Sequence, residues 1–363
     1  MADVEDACGP ESVGKVPLRI AAIFVILVTS LVGTMFPILS KRVGVLRRIV
    51  PGGVFDFAKF FGSGVILATG LIHLLEPAVD AIGEGNTRSA GGCISDAWAE
   101  YPYPFALCLF SLFCTFVIQI VFFRLGTQRM QKLAGGPTPH IHVAGHGGHV
   151  DQPPQDIEAS SPTASGASHD MEKHDLSPSS SSLDVGSYRD AMEENPVAAQ
   201  MMGVLTLEFG VVLHSVIIGL TLATTGDDEV TTLFIVIVFH QMFEGLGLGT
   251  RLAFLKLDHL GKKYALLPWL GALLYSSCTP IGMAIGLGLR EGIAMSSGTA
   301  SVVSGVLDAT SSGILLYTAT VELIAHEFIF NKFYHTCSWT RLWFSIGCFA
   351  LGAGIMALLG KWA

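Results

Sequence analysis

Charge is scarce in this sequence. Of its 363 residues only 14% are Asp, Glu, Lys or Arg, while 50% are hydrophobic, against about 25% charged residues in a soluble domain. With a mean hydropathy of +0.55, an ordinary water-soluble globule is excluded. No basic stripe interrupts the chain, so nucleic acid is not an expected partner. The seven cysteines contain no CxxC pair, which removes the ribbon and redox motifs. HExxH, the signature of a helical zinc protease site, is missing too.

What fills the space is apolar sequence. Windows of about 20 apolar residues, the length that crosses ~30 Å of hydrocarbon, recur eight times, roughly at 18–39, 54–76, 104–124, 199–224, 230–250, 265–289, 301–326 and 342–360. The first is too long and too poorly preceded by basic residues for a cleavable signal peptide. The expected fold is therefore all-α: a membrane protein with an eight-helix transmembrane bundle, in contact with the lipid bilayer.

Basic residues orient it. Lys41, Arg42, Arg47 and Arg48 follow the first span; Arg124, Arg129, Lys132, Lys173 and Arg189 follow the third. Arg251, Lys256, Lys262 and Lys263 follow the fifth, and Lys332 and Arg341 lie between the last two. The opposite side has Lys15, Arg19, Arg88, Arg290 and Lys361, with Lys59 inside a span. Both termini are expected outside and the long central loop in the cytosol.

That loop marks the one sharp composition break and divides the chain into 1–124, 125–196 and 197–363. Ser, Pro, Gly and Asp dominate it, "SPSSSS" is low complexity, and the formal net charge of −9 is concentrated there. Such a segment cannot bury enough apolar surface to offset its ordering entropy and is expected to be disordered. It carries "HIHVAGHGGH", with His140, His142, His146 and His149. Histidine-rich tracts bind metal weakly; the alternative is a solvated linker. Cys8 and Cys93 both fall on the expected outer side, where disulfides persist; a bridge between them and two separate thiols are both open. Cys108, Cys114, Cys278 and Cys348 lie in spans and read as packing residues.

The stretch "VFHQMFEGLGLG" puts His240 and Glu244 in apolar surroundings. An ionisable group at the middle of a span costs about 2.5–3.5 kcal/mol, whereas each Leu or Ile returns only about 0.3–0.6. A sequence that keeps several should be using them. Residues i and i+4 share a helix face, and imidazole nitrogen with carboxylate oxygen suits Zn²⁺ and related divalent ions. Span four carries His214 and Ser215, and the loop "TTGDDEV" is short enough to make spans four and five antiparallel neighbours. His214 can then join His240, Gln241 and Glu244. A buried His–Glu hydrogen-bonded pair is the plainer alternative.

Two further clusters sit nearer the span ends. "GLIHLLEPA" holds His73 and Glu76 on the outer side, and "VELIAHEF" holds Glu322, His326 and Glu327 on the inner side. Together the three levels suggest an entrance, a central site and an exit, although either end cluster could consist of interfacial residues reaching water.

These residues resemble the ZIP (Zrt/Irt-like) family of divalent-metal transporters. "HSVIIG" and "HQMFEGLGLG" look like its plant and fungal branch, as do "GVILATGLIHLLEPA" and "SGILLYTATVELIAHEF". The resemblance implies spans one to three and six to eight arranged as an inverted repeat around spans four and five. It also implies central ligands at His214, Ser215, His240, Gln241 and Glu244, with metal moving into the cytosol. Zn²⁺ would be cargo, not a prosthetic group, with Fe²⁺ or other divalent metals as alternatives, and no cofactor is expected. Plasma membrane is the expected location and a homodimer the assembly to test. Many relatives have Asn at Ser215, an acid at Ile218 and some have Glu at Thr279; those acids help hold a second metal, so one principal site is expected here. A multispan zinc hydrolase and a non-metal solute carrier are the rival readings. The hydrolase leaves the end clusters without a purpose, and the solute carrier leaves the histidine-rich loop unexplained.

Overall fold

The computed structural model describes residues 8, 14–134, 197–255, 264–289 and 298–362. Eight helices are long and apolar enough to cross a membrane: α1 (Val16–Arg42), α2 (Gly52–Ile82), α3 (Tyr103–Ala134), α4 (Val197–Thr224), α5 (Val230–Phe254), α6 (Leu267–Leu289), α7 (Gly298–Ile329) and α8 (Trp339–Leu359). No β-strand occurs among the described residues, where Thr87 and Ile94 form an isolated bridge.

Helix α3 continues to Ala134, ten residues past the boundary expected at 124. Hydropathy marks where the bilayer ends, not where the helix does. "LGTQRMQKLA" is polar but rich in good helix formers and free of proline, so the helix runs on into water. The histidines at 140, 142, 146 and 149, and the rest of 135–196, lie outside the described residues.

α2 and α7 depart from α-geometry in their second halves, as π-helix over Thr69–Leu75 and Thr318–Ile329. In α2 the π segment leads directly into Pro77, whose nitrogen has no proton for the i→i−4 ladder. Pro280, the expected kink, lies within α6, which stays one helix from Leu267 to Leu289.

The neighbours are orderly. α1 packs on α5 and α6, α6 on α4, α2 on α8, α5 and α7, and α7 on α3 and α4. Exchanging α1–α3 for α6–α8, and α4 for α5, maps these most extensive contacts onto one another, while the smaller α5–α6 contact has no counterpart between α4 and α1. α3 and α8, exchanged with each other, are the least buried spans. Their outward side chains, such as Leu109, Phe110 and Trp343, are more than 60% exposed, as expected where the solvent is lipid. Glycine allows the closest approach: a Cβ on Gly62 of α2 would lie 2.2 Å from the Gly247 Cα of α5, so only two glycines fit there.

One end of the bundle carries a disulfide between Cys8 and Cys93, the short helices of 84–99, and the start of α7, whose Gly298 abuts the Cys93 carbonyl. At this end Arg19, fully buried, donates to the Leu222, Ala223 and Thr225 carbonyls at 2.8, 3.2 and 2.5 Å and pairs with Asp227 at 3.1 Å. It thereby satisfies the carbonyls left over at the C-terminus of α4. At the opposite end Lys59 of α2 and Arg251 of α5 converge on Glu327 of α7, and Arg341 of α8 pairs with Asp56 of α2.

Candidate metal site

α4 and α5 run antiparallel through the centre, joined by the short turn after Thr224. The turn brings His214 to the face of α5 that carries His240 and Glu244. One ligand atom from each of these three residues lies within 4.8 Å of the other two. His240 Nε2 is 3.7 Å from Glu244 Oε2, one helical turn on, and the two imidazole rings are 5.5 Å apart. All three side chains are 1% exposed or less.

Buried polar atoms are almost always hydrogen-bonded. Here both nitrogens of His214, His240 Nε2 and Glu244 Oε1 have no hydrogen-bond partner, and neither do Ser215 Oγ and Gln241 Oε1. Each is an acceptor, or becomes one in the right tautomer. A cluster of buried nitrogen and oxygen atoms with lone pairs left unused suits a cation. The plainer alternative, a closed His240–Glu244 hydrogen bond, does not match the 3.7 Å separation, which is too long for one. Glu244 is braced instead by Tyr275 of α6, whose hydroxyl donates to the Gln241 carbonyl at 2.8 Å and stands 3.3 Å from Glu244 Oε2.

Gln241 and Ser215 sit beside these groups in different ways. The Gln241 amide donates to Thr279 Oγ1 at 2.6 Å, so the position where some relatives carry an acid supplies a neutral hydroxyl. Ile218 packs with Leu222 and Met283 in an apolar cluster. Neither position offers a second metal a carboxylate.

The outer pair is not brought together. His73 is buried with its ring 4.7 Å from that of His240, and its Nε2 is 2.9 Å from the Met356 carbonyl. It therefore borders the central site. Glu76, three residues on, is exposed on the outside of α2. Sequence distance from the span end misleads here because His73 lies in the π segment, where residues three apart no longer keep their α-helical faces.

Of the inner cluster, Glu322 and His326 line an open cavity between α4, α5 and α7, together with Val204, Leu207 and Arg251. Gln119 of α3 donates to Glu322 at 2.8 Å. Glu327 borders the same cavity, but both its oxygens are engaged, Oε2 by Lys59 and Oε1 by Arg251 at 2.8 Å. It serves the ion cluster and is not available as a ligand in this conformation. Leu207, which lines the cavity, and Leu315, both 1% exposed or less, belong to the main apolar core.

Sequence reasoning missed Asp308. It is buried on α7 with Oδ1 3.9 Å from His214 Nδ1. The signal was present, because an acid in the middle of a span is as costly there as Glu244 is in α5.

Buried imidazole and carboxylate groups converging from adjacent spans define a multi-pass membrane protein with a donor set able to hold a divalent cation. The family profile described as ZIP Zinc transporter matches residues 16–360. The chain belongs to this family, whose members are transporters rather than enzymes, so the hydrolase reading is set aside. It is 42% identical to zinc-regulated transporter 1 of Saccharomyces cerevisiae, covering 98% of this chain and 90% of that one. Zinc-regulated transporter 2 of the same yeast is 36% identical, with 96% and 95% covered. A rice protein named Fe(2+) transport protein 2 is 31% identical, with 98% and 91% covered.

Proposed function

We propose that this protein imports Zn²⁺ into the cytosol across the plasma membrane through the site formed by His214, His240 and Glu244. The observation that carries the reading is the set of unpartnered buried acceptors on α4 and α5. The names of the two yeast relatives point to the same cargo.

The two ends of the bundle support an orientation with the disulfide outside. The disulfide end faces outside, where such bonds persist. The other end carries Lys41, Arg42, Arg47, Arg48, Arg251, Lys332 and Arg341, which retains it in the cytosol. The self-mapping of helix neighbours supports an inverted repeat of α1–α3 and α6–α8 around α4 and α5, the architecture in which a central site faces each side in turn. Zn²⁺ would reach the centre past His73 and leave through the cavity at Glu322 and His326. Ser215 and Gln241 complete the polar surroundings of one cation, and Ile218 and Thr279 supply no carboxylate for another.

Accumulation of ⁶⁵Zn by cells expressing the protein tests this directly. Wild type should accumulate it, and a His240→Ala, Glu244→Ala double variant of equal surface abundance should not. Accumulation unchanged in the double variant would overturn the site. Imidazole and carboxylate also suit Fe²⁺, and the rice relative is named for iron. Competition between Fe²⁺ and ⁶⁵Zn separates the two cargoes: Zn²⁺ should compete at lower concentration.

A further inference from the structure

Asp308 is a buried acid that the transport path described above does not use. It is 5% exposed and lies on α7, while His214 lies on α4. Ser304, one turn before it, donates to Oδ2 at 3.2 Å, so one carboxylate oxygen is held by its own helix while the other, Oδ1, lies toward His214 Nδ1 at 3.9 Å. His214 in turn has both ring nitrogens buried and without a hydrogen-bond partner.

The 3.9 Å separation is too long for a hydrogen bond. Nor does Asp308 belong to the group whose ligand atoms all lie within 4.8 Å of one another. A direct ligand role is therefore poorly served by the geometry. A closing movement of about 1 Å, however, makes a charge-assisted N–H···O bond of ordinary length.

We propose that Asp308 is a positioning residue for His214. Its Oδ1 accepts the Nδ1 proton, which selects the tautomer that leaves Nε2 bare for the cation. The inference rests on the metal reading above. A carboxylate behind a metal-bound imidazole fixes the ring's orientation and raises its basicity. This one is itself aimed by Ser304, on a helix that belongs to neither of the ligand-bearing pair. α7 thus contributes to the site without touching the ion.

Zinc binding by the purified full-length protein in detergent, measured by competition with a chromophoric chelator, tests the role. Loss of such an outer partner typically costs about 10–100-fold in metal affinity, and that loss is expected for Asp308→Ala. Asp308→Asn keeps a carbonyl oxygen of the same reach. A neutral hydrogen bond is about half as strong as a charge-assisted one, so Asn should recover about half of the loss on a logarithmic scale. Ser304→Ala should weaken binding in the same direction but by less, and reads the same role should the Ala variant not fold. In ⁶⁵Zn uptake these variants should raise KM with little change in maximal rate. An Asn variant as weak as Ala would overturn the proposal in favour of direct coordination by the charged oxygen. Wild-type affinity in both Asp308 variants would overturn it outright. Absence of saturable zinc binding by the wild type would overturn the metal reading along with it.

Discussion

Replacing Glu327 by Gln removes the anion that pairs with both buried Lys59 and partly buried Arg251. The Lys59 side chain is inaccessible, that of Glu327 is 5% accessible and that of Arg251 13%. The carboxylate gives one oxygen to each cation. A glutamine offers one carbonyl oxygen and turns an NH₂ donor toward the other partner, so the ion pairs with Lys59 and Arg251 are lost. Breaking a buried pair this way costs about 3–5 kcal/mol. The partial exposure of Arg251 and the nearby acids Asp56 and Glu322 place this case toward the lower part of that range. Removing all three charges is different. Lys59→Met, Arg251→Met, Glu327→Leu in combination should be neutral or stabilising by about 1–4 kcal/mol, because no stranded charge remains. Unfolding of the purified protein can be followed with a thiol-reactive dye, since Cys108, Cys278 and Cys348 are buried and free. Glu327→Gln should unfold well below wild type and the triple variant near it. Glu327→Gln unfolding at the wild-type temperature while losing ⁶⁵Zn uptake would refute the reasoning and make Glu327 a transport ligand after all.

Other perturbations separate the remaining parts of the account. Arg19→Leu leaves the carbonyls of Leu222, Ala223 and Thr225 without their buried donor and should cost about 3 kcal/mol or more, as charged hydrogen bonds contribute about 1.5–3 kcal/mol each and are not additive; the same unfolding assay checks it. Gly62→Ala drives a methyl group into the Gly247 backbone and should destabilise by about 1–3 kcal/mol, again read from unfolding. Protons compete with Zn²⁺ for imidazole nitrogen and carboxylate oxygen, so uptake should fall as the outside is acidified; initial ⁶⁵Zn rates across a pH series would show it. Rising uptake would mean that proton coupling controls the rate.

How much could be read from the chain depended on how far apart the participants lie. His240 and Glu244 are one turn apart, so helix periodicity alone aligned them. The short turn after Thr224 then fixed α4 against α5 and brought in His214. Eight spans followed from apolar length. Periodicity gives the depth of a residue, but its facing holds only while the helix stays α. His73 sits in a π segment, and its partner proved to be the ring of His240 rather than Glu76. Glu327 meets Lys59 across 268 residues, a pairing that no local rule anticipates. Asp308 was legible as a misplaced acid, but its neighbour on α4 was not, because nothing in the sequence fixes how α7 is rotated against α4.

The central claim is that His214, His240 and Glu244 together hold the transported ion. X-ray absorption at the zinc edge of the zinc-loaded purified protein tests it most directly. The account predicts a shell of nitrogen and oxygen scatterers at about 2.0–2.2 Å with an imidazole signature, lost in the His240→Ala, Glu244→Ala variant. Sulfur scatterers at about 2.3 Å, or an unchanged zinc shell in that variant, would contradict it.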